Sequence, residues 1–148
     1  MIQRKQTLFL LLAFVLTVVC MSTQVGTLYN ESGTVAARIY NLWLTDGQGG
    51  QSFASAPLFG VLLVDALLML VTIFLYQKRK LQARMCLVGM LLGVAWYVLL
   101  AVLPQQTGGQ LHLEWPSVLP AIGVILTFMA RKGILADEKL VRSLDRIR

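Results

Sequence analysis

Four apolar stretches, Thr7 to Thr23, Ala54 to Tyr76, Met85 to Leu103 and Pro116 to Leu135, take up most of this chain, and nearly all its basic residues lie on one side of them. A helix needs about 20 residues, at about 1.5 Å each, to cross the hydrocarbon core of a bilayer. Each stretch has about that length, and a soluble chain of 148 residues has no interior able to hide four of them. Composition agrees, since 57% of residues are hydrophobic and 14% charged, against roughly 45–50% and 25% in ordinary globular domains. The expected fold is an all-α membrane protein, a four-transmembrane-helix bundle forming one domain over residues 1–148. The remaining segments, Ser22 to Phe53, Gln77 to Arg84, Pro104 to Trp115 and a tail from Ala136, are too short for a catalytic domain.

Charge sets the expected orientation. Arg4 and Lys5 precede span 1, Lys78, Arg79, Lys80 and Arg84 sit in the link between spans 2 and 3, and Arg131, Lys132, Lys139, Arg142, Arg146 and Arg148 end the chain. Of the 13 Lys and Arg residues only Arg38 falls in the opposite compartment. The positive-inside rule then predicts that both termini are cytoplasmic. The net charge of +6 is thereby accounted for by topology and attraction to anionic lipid headgroups, with no need for nucleic acid. The N-terminus resembles a secretory signal, but no Ala-x-Ala-like site follows its apolar run and Val19 before Cys20 suits a lipoprotein signal poorly. It is expected to remain as an anchor. Cys20 and Cys86 are predicted near opposite membrane faces, too far apart for a disulfide.

Lipid tails are as apolar as leucine, so small residues that let backbones approach must help to hold the helices together. Span 3 carries Gly89-x-x-x-Gly93, continued by Trp96 and Leu100; span 4 carries Gly123-x-x-x-Thr127 behind Pro116 and Pro120; span 1 carries Ala13, Thr17, Cys20 and Gln24. Packing within the chain is the simpler reading, with a dimerisation face as the alternative, so a homo-oligomer stays open. The short link makes spans 2 and 3 an antiparallel hairpin. Pro104 is expected to mark the outer end of span 3 and Trp115 to anchor span 4 at the interface.

The first outer loop has strand character at Thr27 to Tyr29 and Thr34 to Thr45, with turn chemistry at Asn30 to Gly33 and Asp46 to Gly50. Together with the alternating segment Gln110 to Trp115 it predicts a small extracytoplasmic β cap. A short amphipathic helix over Val35 to Leu44 is the alternative.

Asp65 is the one ionisable residue well inside a span. A carboxylate near the bilayer centre costs about 2.5–3.5 kcal/mol on insertion scales, so it should face the bundle. Helical spacing puts Thr72 and Tyr76 on its face. It is either a carrier or ion ligand of a small transporter, or a buried group fixing helix register; the lack of a second intramembrane carboxylate favours the latter. His112 and Glu114 share one side of the outer strand but are too few for a closed metal site. No phosphate-binding glycine loop, nucleophile elbow or zinc-protease motif occurs, so neither enzyme nor cofactor is expected.

In the tail, Leu140, Val141, Leu144 and Ile147 share one helical face, Glu138 and Arg142 are spaced to pair, and Asp137 with Glu138 suits a helix start. This predicts a separate, cytoplasmic amphipathic helix from Ala136, either lying on the inner leaflet or docking on a partner. The start Met1 to Thr7, the link Arg79-Lys80-Leu81-Gln82-Ala83-Arg84 and the tail Asp137 to Arg148 resemble the family labelled domain of unknown function 4293, small inner-membrane proteins of Bacteroidota. Lys5 departs from the apolar residue expected there. The resemblance implies four spans, a cytoplasmic tail and a bacterial inner membrane, and brings no activity or ligand. Gln3, Arg4, Arg79, Lys80, Arg84, Leu140, Arg142, Leu144, Asp145 and Arg146 are expected to form one cytoplasmic interaction face. The expected function is a membrane accessory protein docking on a larger assembly, with a transporter or channel using Asp65 as the alternative.

Overall fold

The structure, a computed structural model, describes residues 3–145. It is mostly helical, with α1 (Gln3–Ser22), α2 (Ala56–Phe74), α3 (Arg79–Thr107) and α4 (Leu119–Asp145) joined by strands β1 (Gln24–Tyr29), β2 (Val35–Tyr40), β3 (Leu44–Asp46), β4 (Gln51–Ser52) and β5 (Gln110–Leu113). Among the described residues four helices are long and apolar enough to cross a membrane. Their outward surfaces are studded with bare aliphatic side chains such as Leu67, Leu91 and Ile125, as expected where the solvent is lipid. Each helix packs on its neighbours in chain order and α4 closes on α1. The bonded pairs Gln6 with Asp137 and Gln82 with Thr72 make these neighbours antiparallel.

The strands form a single antiparallel sheet in the order β4-β3-β2-β1-β5. This is the expected cap, and the helix alternative over Val35 to Leu44 is overturned: the β-branched and aromatic residues there pair with β1. The predicted strand Thr34 to Thr45 is broken by Asn41, Leu42 and Trp43. Gly33 (φ +76°) and Gly49 (φ +86°) supply the left-handed positions of the two turns. Val25 and Leu28 are an odd number of residues apart, which in a regular strand puts them on opposite faces. A register shift between Gln24 and Gly26 lets both enter one core with Ile39, Leu44, Leu58, Trp96 and Leu100. The sheet is thereby seated on the helix ends.

Three boundaries differ from the sequence reading. Span 3 does not stop at Pro104: α3 runs on to Thr107 and ends at Gly108, whose φ is +71° and whose N–H bonds the Pro104 carbonyl at 2.8 Å. A proline in the last turn forfeits only one bond, so the left-handed glycine terminates the helix instead. The tail is not a separate helix starting at Ala136. α4 continues unbroken from Leu119 to Asp145, since nothing between Leu135 and Lys139 breaks it. Span 1 ends at Ser22, so Gln24 leaves the helical stripe for β1, where its amide bonds Thr27 Oγ1 at 2.9 Å.

Candidate functional site

The two small-residue stripes of α1 and α4 meet each other. A Cβ on Gly123 would lie 4.0 Å from both the Ala13 carbonyl and Thr17 Oγ1. Thr17 and Thr127 turn their hydroxyls back to the Ala13 and Gly123 carbonyls, at 2.9 and 2.8 Å, so neither leaves a polar atom bare. The glycines of α3 divide their work. Gly89 faces α2, where a Cβ would come 3.1 Å from Asp65 Oδ1, and Gly93 faces α4, where a Cβ would overlap the Val124 side chain. All these contacts are internal to the chain.

Asp65 is 3% exposed, and its Oδ1 has no hydrogen-bond partner. Gly89 makes room for it. Thr72 is buried as expected, with its hydroxyl bonded to the Leu68 carbonyl. Tyr76 does not join them: α2 ends at Phe74, helical phase is lost, and Tyr76 is 54% exposed.

At the sheet end Asn41 is the hub. Its amide donates to the Cys20 carbonyl at 2.6 Å, its Oδ1 accepts from Trp96 Nε1 at 2.9 Å, and its carbonyl accepts from Phe59 N at 3.2 Å. Three helices are tied to one loop residue. Tyr97 does similar work for α4, accepting from Ala121 N at 3.1 Å and donating to the Ser117 carbonyl. His112 is exposed and sets its ring edge-on to Tyr29 at 5.3 Å, while Glu114 accepts from Thr27 Oγ1 at 3.2 Å. Cys20 and Cys86 are both free and buried.

The opposite end carries the charge. Gln6 donates to Asp137 Oδ2 at 2.6 Å across the face of Gly133, where any Cβ would press on the Gln6 side chain at 3.1 Å. Asp137 is therefore a buried clasp between α1 and α4, not the first turn of a surface helix. Arg79 donates to its carbonyl at 3.4 Å, Gln82 caps the end of α2 through the Thr72 carbonyl at 3.1 Å, and Arg131 bonds the Ala83 carbonyl at 3.3 Å. The sequence reading missed Gln6, Gln82, Asp137 and Asn41, because polar residues at segment borders look solvated until their partners are known.

Beyond this layer α4 runs on, and every side chain from Lys139 to Leu144 is exposed. Between the projecting helix and the turn from α2 to α3 lies an open groove of about 820 Å³. Lys78, Arg79, Lys80, Arg84 and Arg142 line it, against one carboxylate, Glu138. Glu138 Oε1 sits 3.9 Å from Lys80 Nζ and 4.0 Å from Arg142 Nη2, the second being the expected i, i+4 pair. Of the expected interaction face, Arg79, Lys80, Arg84 and Arg142 are gathered at this groove, while Leu140 and Leu144 lie on the projecting helix outside its lining. Gln3 and Arg4 open α1 and Asp145 closes α4; Arg146 lies outside the described residues. Among the described residues no trio of His, Cys, Asp or Glu gathers as a metal site.

The family model described as domain of unknown function (DUF4293) matches residues 2–147. The chain belongs to this family. The match takes in all four helices and the whole sheet. No curated protein matches the chain.

Proposed function

We propose that the protein is a non-enzymatic accessory protein of a bacterial inner membrane, with both termini cytoplasmic, that docks on a larger membrane or cytoplasmic assembly through its basic end. The orientation follows from the one-sided Lys and Arg residues, and the resemblance to small inner-membrane proteins of Bacteroidota supports that location. Anionic headgroups and a protein partner are the surfaces this end would meet.

The projecting part of α4 carries the docking reading. At 27 residues the helix is about 40 Å long, well beyond a hydrocarbon core of about 30 Å. Its last turns pass the layer where Gln6 and Asp137 close the bundle, and Leu140 and Leu144 there are 55% and 66% exposed. Bare leucines on a helix flanked by charge are what a groove-binding partner covers. Removing the tail from Ala136 would also remove the Asp137 clasp, so point changes are the cleaner probe. Leu140→Asn with Leu144→Asn is expected to abolish co-purification of the assembly after gentle extraction at native expression level, with the melting midpoint unchanged. Equal recovery with both proteins would rule the docking reading out.

The unpartnered Asp65 Oδ1 supports the second reading, a small transporter or channel. Under the docking reading Asp65→Asn keeps normal folded yield and leaves proton and ion flux into proteoliposomes at the wild-type level. Loss of a wild-type flux at normal yield would transfer the function to Asp65.

A further inference from the structure

We infer that the groove between the α2–α3 turn and the projecting end of α4 is a discrete binding site for the phosphate headgroup of an anionic phospholipid. The inference goes beyond partner docking and rests only on the reading that this end of the bundle meets anionic headgroups. Its first support is unspent charge. Lys78 and Arg84 have no ion-pair partner among the described residues, and both are exposed. Lys80 and Arg142 share the single carboxylate of Glu138 at the outer limit of an ion pair, a contact of little worth at an exposed site. The groove thus keeps a strong positive field that a phosphate can meet with several oxygens, the guanidinium forks supplying paired donors.

Position is the second support. The groove begins at Tyr76, just past the end of α2, and Phe74 in the last turn of that helix is 71% exposed. An exposed phenylalanine followed by a tyrosine and then by cations is the order of side chains met on crossing from acyl chains through the interface to headgroups. Basic pockets between spans at that depth suit anionic headgroups. α3 adds to the field: it starts in the groove with no acidic residue in its first turn and no side-chain cap, which leaves its first N–H groups without a side-chain acceptor and its positive dipole end unscreened.

The test titrates the purified full chain in detergent with short-chain phosphatidylglycerol, phosphatidylcholine or inorganic phosphate, reading bound lipid and the melting midpoint. Two variants are compared: Lys78→Gln with Arg84→Gln, and Lys132→Gln with Lys139→Gln, which loses the same charge from exposed positions outside the groove. Phosphatidylglycerol is expected to bind saturably to the wild type and the second variant, and about 30-fold more weakly to the first. Phosphatidylcholine and inorganic phosphate are expected to leave all three unchanged. Equal weakening in both variants would mean diffuse attraction, a full response to inorganic phosphate alone would mean a free-phosphate site, and tight binding of a polyglutamate peptide in place of lipid would mean a protein ligand; each overturns the proposal. Partner capture through Leu140 and Leu144 is read separately, so either idea can fail alone.

Discussion

Replacing Asn41 with alanine is expected to lower the unfolding free energy by about 3 kcal/mol. The side chain is fully buried and bonds both the Cys20 carbonyl and Trp96 Nε1, so truncation strands the indole N–H in an apolar core formed by Leu58, Leu62 and Leu100. The Cys20 carbonyl keeps a bond from Thr23 N at 3.3 Å, which is why the penalty centres on Trp96. Trp96→Phe removes a single donor and should cost less, about 1–2 kcal/mol with the changed packing included. Unfolding followed in detergent micelles for the two single variants and the double variant measures their coupling. A loss below about 1 kcal/mol for Asn41→Ala would show that the sheet and helices are held by packing alone.

Gly93→Ala is expected to cost about 1–3 kcal/mol, because its methyl group would occupy space filled by the Val124 side chain. Valine on a helix is held to one main rotamer, so the neighbour cannot simply turn aside and α3 must move from α4. Val124→Ala in the same chain opens the space and should restore most of the loss, whereas Val124→Ala alone leaves a small cavity and costs stability. Failure of the rescue would place the strain elsewhere. The same substitution at Gly123 meets only ordinary van der Waals distances, so the glycine stripes are unequal and Gly93 marks the tightest approach.

How much of this was legible in the chain differs from element to element. Span number and the cap followed from local rules: a bilayer demands a run of apolar residues of set length, and alternation with turn residues announces strands. The Gly123, Thr127, Ala13 and Thr17 stripes were identified by helical spacing alone, and they meet as a pair. Where helix ends were judged from one residue, as at Pro104 or at Asp137 and Glu138, the reading failed, because a helix continues whenever its neighbours hold it. Tyr76 was placed beside Asp65 by extending a phase that the chain had already abandoned.

Chain order and polarity alone suffice for the number of helices and the gathering of cations at one end, since solvent imposes those one segment at a time. Partnership is another matter. Gln6 reaches Asp137 and Asn41 reaches Trp96 across long separations in sequence, and whether a polar side chain is clasp, cap or open to a ligand depends on what the packed helices bring opposite it. The groove exists for the same reason: its cations come from the α2–α3 turn and from the last turns of α4, segments that become neighbours only when α4 closes the bundle and outruns it.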